Sequence, residues 1–129
     1  MKKSVLFGIV ILISAVMLSG CKGSGTYRGE WKVTGINGDR FVFHFLEKSL
    51  VTTGTSGRSD TVGYTQNVIR IENGIRSYGI HLSNGYQYLI VFPVKSDDTK
   101  AKITNPEGGT IFTMGRSAYI DPKEFEQWP

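Results

Sequence analysis

Residues 27–46 read YRGEWKVTGINGDRFVFHFL, and their alternation decides the fold class. Tyr27, Gly29, Trp31 and Val33 fall on one face and Arg28, Glu30, Lys32 and Thr34 on the other, the period of two that makes a half-buried strand. Phe41, Phe43 and Phe45 repeat the pattern in RFVFHFL. Asn37-Gly38 separates the two runs, and this dipeptide suits the positive φ angles of a type I′ hairpin turn. These twenty residues read as strand, tight turn, strand.

The same device recurs on either side. Asn73-Gly74 lies between NVIRI (67–71) and IRSYGIHLS (75–83), and Asn84-Gly85 precedes YQYLIVFPV (86–94). Further short strands are expected at SLVTT (49–53), DTVGYT (60–65), TKAKIT (99–104) and TIFTM (110–114), separated by Gly, Ser, Asn and Asp clusters. Lys100 and Lys102, flanking Ala101, read as the solvated face of a strand. The expectation is an all-β fold: a small antiparallel meander of about eight strands over residues 27–129, closing into a barrel because closure buries the apolar faces and removes open edges. Pro93 cannot donate to a ladder, so it marks a bulge, a strand end or an edge. At the tail, Asp121 in an N-cap position, Pro122 behind it and Glu124 three residues after the cap predict a short helical turn.

With 129 residues, 40% hydrophobic and 20% charged, the chain fits one small domain. Its N-terminus is different in kind. Lys2 and Lys3 precede SVLFGIVILISAVML (4–18), which small residues follow at Ser19 and Gly20, the grammar of a secretory signal peptide over residues 1–20. The apolar run is shorter than the roughly twenty residues an untilted membrane-spanning helix needs. Cys21, the only cysteine, comes next, ahead of a Gly/Ser-rich stretch, KGSGT (22–26), flexible by composition. A disulfide within the chain is excluded, and a catalytic thiol at the domain's edge would lack a packed base.

Leu18-Ser19-Gly20-Cys21 resembles the lipobox of bacterial lipoproteins, matching at all four positions. The resemblance implies cleavage between Gly20 and Cys21 and a diacylglyceryl group on the Cys21 sulfur. Two or three acyl chains on one residue anchor stably where a single chain holds only marginally. In Gram-negative members an aspartate after the cysteine retains the protein in the inner membrane. Lys22 in its place implies the outer membrane, and a Gram-positive host stays open. Cleavage leaves 109 residues with 13 Lys and Arg against 11 Asp and Glu, so the high isoelectric point belongs partly to the signal peptide, and nucleic-acid binding loses its electrostatic argument.

Within the domain, Gly29-Glu30-Trp31 is similar to the Gly-x-Trp signature of lipocalin-like barrels. Arg116, after the last expected strand, stands where that family packs an arginine over the tryptophan. NGYQYLIV (84–91) resembles the family's mid-barrel Thr-Asp-Tyr segment, without its aspartate. The resemblance implies that Trp31 and Arg116 meet where the barrel closes, and that the barrel holds a small apolar ligand.

Catalytic patterns are not expected. His44 and His81 fall on separate strands without metal-ligand spacing, Asp97-Asp98 belongs to a turn, and TTGTSGRSDT (52–61) has neither a phosphate-cradling glycine motif nor a nucleophile elbow. No catalytic residue, cofactor or metal is assigned. Phe41, Phe43, Phe45, Tyr78, Tyr86, Tyr88 and Phe92 exceed a minimal core, so some line a pocket or a protein-binding surface. The expected function is a membrane-anchored envelope protein-binding module of inhibitor, exclusion or immunity, or assembly type, favoured because the domain is small for a cavity. The alternative is a lipocalin-like carrier or sensor of an apolar ligand.

Overall fold

The structure, a computed structural model, describes residues 22–127. Gly20 and Cys21, the expected cleavage and lipidation positions, lie outside the described residues, as does Trp128.

Eight antiparallel strands pair in chain order and close on themselves. They are β1 (Gly29–Gly35), β2 (Arg40–Phe45), β3 (Ser49–Gly54), β4 (Ser59–Glu72), β5 (Ile75–Leu82), β6 (Gln87–Phe92), β7 (Lys100–Thr104) and β8 (Thr110–Gly115). The first hairpin runs in register from Gly29 opposite Phe45 to Thr34 opposite Arg40. Closure is made by β1 against β8, from Lys32 opposite Gly115 to Gly35 opposite Phe112. The inward residues of the alternating pattern, among them Trp31, Val33, Phe43, Phe45, Ile90, Ile103 and Met114, are 3% exposed or less. Pro93 directly follows β6, a strand end.

The up-and-down order sorts the connections into two ends. The β1–β2, β3–β4, β5–β6 and β7–β8 loops gather at one end, here the mouth. The other end holds the β2–β3 turn, the β4–β5 hairpin tip, the β6–β7 loop and the start of the described chain; it is the closed end.

The turns differ from the type I′ expectation at two of three sites. Only Asn73-Gly74 has positive φ at both residues, 55° and 80°, with Glu72 paired to Ile75 across a true two-residue hairpin. At Asn37-Gly38 and Asn84-Gly85 only the glycine is positive. There the Gly38 N–H donates to the Gly35 carbonyl at 2.9 Å, and the Gly85 N–H to the Leu82 carbonyl at 2.9 Å. These are three-residue loops in which a glycine of positive φ follows an ordinary turn. The β3–β4 and β7–β8 loops use the same design at Gly57 and Gly108, without an Asn-Gly dipeptide.

Three further expectations are corrected. DTVGYT and NVIRI are one strand, β4, because Asn67 is accommodated as a bulge between Gln66 and Val68 rather than ending the ladder. Thr34 is 6% exposed instead of solvated, because the tail folds back outside the barrel: Thr113, its partner across the β1–β8 seam, donates its hydroxyl to the Ile120 carbonyl at 2.6 Å. The tail ends in a 3₁₀ turn, Pro122–Gln127, where the Asp121 carboxylate accepts the Lys123 N–H at 2.9 Å. Finally, residues 23–26 are not a free spacer. The Gly23 N–H donates to the Glu47 carbonyl at 2.8 Å and the Ser24 N–H to the Gln66 side chain at 3.0 Å.

Candidate functional site

The closed end is filled from both termini of the barrel. Gly29 has a φ of 104°, a conformation that favours glycine, and a side chain there would approach the Arg116 guanidinium to 3.1 Å. The space left by Gly29 lets Arg116 reach across β1. Its guanidinium lies 3.9 Å from the Trp31 ring centroid and donates to the carbonyls of Arg28, Glu30 and Thr26 at 2.9, 3.0 and 3.2 Å. The Trp31 indole N–H donates to the Tyr27 carbonyl at 2.8 Å. Gly29, Trp31 and Arg116, singled out from sequence, therefore meet, and their contact fastens the chain's entry to the end of β8. Burial lowers the Arg116 pKa without removing its charge.

Beside this clasp, Tyr27, Tyr64 and Tyr78 pack together with Phe45 and Phe92. The Tyr27 hydroxyl donates to the Gln66 side-chain oxygen at 2.7 Å, and the Tyr64 hydroxyl to the Leu46 carbonyl. Burial pushes the Tyr27 and Tyr64 phenols up, so both stay neutral donors. Gly23 is required here for space: a Cβ would lie 2.0 Å from the Tyr64 hydroxyl, which is buried and held by its own hydrogen bond. This half of the barrel is solid.

The mouth half is not. An open cup of about 680 Å³ runs inward from the β5–β6 loop, lined by Phe41, Phe43, Leu50, Val62, Leu82, Tyr88 and Phe112, with Thr52, Asp60 and Tyr86 towards the rim. Register explains the convergence. Leu50 faces Val62 and Thr52 faces Asp60 across β3–β4, so all four point inward, and Phe43 joins Thr52 across β2–β3. Phe112 is the hub, 5.1 Å from Phe43, 5.9 Å from Phe41 and 6.2 Å from Tyr88 between ring centroids. Tyr86 stacks on Tyr88 with planes 9° apart. Asp60 is the one charged side chain lining the cup, and it makes no ion pair among the described residues. Burial pushes the Tyr88 phenol up, and Tyr86 adds to the shift. The arrangement offers an apolar wall, neutral hydroxyls and one carboxylate at the rim, which suits binding a body with an apolar portion.

The aromatic residues singled out from sequence divide between the halves: Phe41, Phe43, Tyr86 and Tyr88 line the cup, whereas Phe45, Tyr78 and Phe92 fill the closed end. Phe112, Thr52 and Asp60 were not singled out. The parity of Phe112 with Met114 in TIFTM marks it as inward, but its central place depends on β8 meeting both β7 and β1. Asn84-Gly85-Tyr86 sits at the mouth, at the opposite end from the Trp31–Arg116 clasp.

The other chemically suggestive groups lie elsewhere. His44 and His81 are exposed on β2 and β5. Asp97 is held by Thr99, whose hydroxyl and amide donors lower its pKa, and Asp98 pairs with Arg76. Among the described residues no group of three or more His, Cys, Asp or Glu could hold a metal ion, and no helix is long and apolar enough to cross a membrane. No protein-family model, curated protein or solved structure matches the chain.

Proposed function

We propose that this chain is an envelope lipoprotein, anchored through lipid on Cys21, whose mouth cup binds a small apolar or amphiphilic ligand as a carrier or sensor does. The observation that carries the reading is the aromatic cup of about 680 Å³, within the size of small-molecule sites and set above a solid, clasped closed end. The anchor reading rests on Leu18-Ser19-Gly20-Cys21, and Lys22 makes the outer membrane its destination in a Gram-negative host. The two parts fit together. Gly23 is pinned to the β2–β3 turn at the closed end, so a lipid on Cys21 would hold that end to the membrane and turn the cup away from it.

In this reading the ligand's apolar part packs on Phe41, Phe43 and Phe112. Thr52 and the Tyr88 hydroxyl orient its polar part, and Asp60 favours a neutral or cationic group at the rim. The protein acts by binding rather than by catalysis. A second reading, the protein-binding module, is favoured by Ile36 and Tyr86, which stand 62% and 63% exposed beside the mouth and suit a partner's surface.

Native mass spectrometry of the processed protein, released from membranes in mild detergent, tests the choice. A small molecule retained at one per chain supports the carrier. Release of the bare chain alone, with a partner protein crosslinked through Tyr86, supports the module. For the anchor, Cys21→Ser should leave an unprocessed precursor that takes up no palmitate analogue, and labelling at the wild-type level would refute lipidation.

A further inference from the structure

The closed end carries features that neither the clasp nor the cup uses. Gly23 is fixed against the β2–β3 turn by its bond to the Glu47 carbonyl, and Cys21 is only two residues away, a reach of about 7 Å when extended. The β4–β5 hairpin ends on the same side of the barrel. The β3 ladder stops at Ser49 opposite Gly63, and beyond the Tyr64 N–H bond to the Lys48 carbonyl β4 runs on to Glu72 with β5 as its only strand partner among the described residues.

This projecting stretch leaves Ile69 61% and Ile71 65% exposed, and Leu46 in the β2–β3 turn is 42% exposed. Both isoleucines lie on the continuation of the barrel's inner face, Ile69 opposite Tyr78 and Ile71 opposite Arg76. Basic residues stand at the same end: Arg70 alternates with the isoleucines on the outer face of β4, Lys48 lies in the β2–β3 turn and Lys95 in the β6–β7 loop. Lys48, Arg70 and Lys95 make no ion pair among the described residues. The Lys95 stem packs over the hairpin tip, with its carbons 3.0 to 3.3 Å from where a Gly74 Cβ would stand. Of the nearby acids, Glu47 is held by Lys22 and Arg28, and Asp98 by Arg76, which leaves Glu72 and Asp97.

We propose that the closed end is a second membrane contact, in which Ile69, Ile71 and Leu46 enter the interface of an anionic lipid surface while Lys48, Arg70 and Lys95 meet its headgroups. The inference rests on the lipid anchor at Cys21, which brings this end to the bilayer. Exposed apolar side chains with basic residues in the same turns and loops are the composition that binds such interfaces. The contact adds to the pinned anchor in fixing the barrel's orientation, with the cup opening away from the membrane.

The test places a single environment-sensitive fluorophore on Ile71→Cys or, at the opposite end, on Ile36→Cys in the processed lipoprotein, whose Cys21 sulfur is already a thioether. Each is reconstituted into vesicles of phosphatidylethanolamine and phosphatidylglycerol and recovered by flotation. The probe at 71 should blue-shift and be quenched by nitroxide-labelled lipid, and the probe at 36 should do neither. Floating protein whose two probes behave alike overturns the docking face and leaves the anchor standing. Protein that does not float overturns the anchor and the docking face with it. A shift of equal size on phosphatidylcholine alone overturns the role given to the basic residues.

Discussion

Replacing Arg116 with alanine removes a side chain that ties the barrel's entry to the end of its last strand. Its guanidinium stacks 3.9 Å from the Trp31 ring, an interaction of about 0.5 to 2 kcal/mol depending on desolvation. It also donates three hydrogen bonds at 2.9 to 3.2 Å. A charged donor contributes about 1.5 to 3 kcal/mol per bond when buried, but Arg116 is only partly buried and water can replace it at some of the carbonyls. Counting the three bonds together as about 1 to 2 kcal/mol, Arg116→Ala should cost about 1.5 to 4 kcal/mol, a large share of the roughly 5 to 15 kcal/mol that holds a small domain folded. Urea unfolding followed by Trp31 fluorescence, in a Trp128→Phe background, measures it. Arg116→Lys should recover part of the loss, since it keeps the charge over the ring but not the fork that reaches three carbonyls. Arg40→Ala, which removes an exposed guanidinium 4.6 Å from the Tyr119 ring, should cost about 1 kcal/mol or less. Should Arg116→Ala match the parent within about 0.5 kcal/mol, with tryptophan emission unmoved, the clasp is not what holds the closed end together.

Three other perturbations separate the parts of the fold. Valine at Gly38, Gly57, Gly85 or Gly108 forces a β-branched residue into positive φ and should cost about 1 to 3 kcal/mol of stability per site, read as a lower urea midpoint; unchanged midpoints at all four would refute the loop assignment. Gly23→Ala should destabilise the domain by driving a methyl group into the Tyr64 hydroxyl, whereas Gly25→Ala, with open space around it, should not; equal stability of the two would return residues 23–26 to a free spacer. The folded-state pKa values of Tyr27, Tyr64 and Tyr88 lie above the unfolded value near 10, so the unfolded chain releases those protons first. Stability is then full below about pH 10 and falls as pH rises past it, and an absorbance titration should show these three phenols ionising late or only on unfolding. Six tyrosines titrating together near pH 10 in the folded protein would contradict their burial.

What the sequence reveals here is what local rules govern. Alternation assigned the inward set, and glycines after Asn marked where chains reverse, because both depend on residues within a few positions of each other. Asn-Gly did not reveal which turn forms: Asn37 and Asn84 keep negative φ in three-residue loops, and only Asn73 takes the left-handed conformation. The bulge at Asn67 was hidden for a related reason, since the polar stretch Thr65-Gln66-Asn67 looks like a break unless its partner strand is known. Gly23 looked like linker glycine because the atom that excludes a side chain there, the Tyr64 hydroxyl, comes from 41 residues along the chain. Thr34 looked solvated because the residues that cover it belong to the tail. The Trp31–Arg116 contact was legible through a family resemblance. The cup was legible only in part, since Phe41, Phe43, Tyr86 and Tyr88 stood out by type, while Thr52, Asp60 and Phe112 acquire their meaning from the register of three different ladders.

The central claim is that the mouth cup is a ligand site, and filling it tests that claim most directly. Thr52 lines the cup and is only partly buried, so Thr52→Trp places an indole in the space among Phe43, Val62 and Phe112 while leaving the clasp untouched. The measurement is a titration of the processed protein with N-phenyl-1-naphthylamine, an apolar dye that fluoresces when it leaves water. The account predicts saturable binding of one dye per chain in the wild type, and its loss in Thr52→Trp at unchanged thermal stability. Dye binding of equal strength in the two proteins, or none in the wild type, would contradict it.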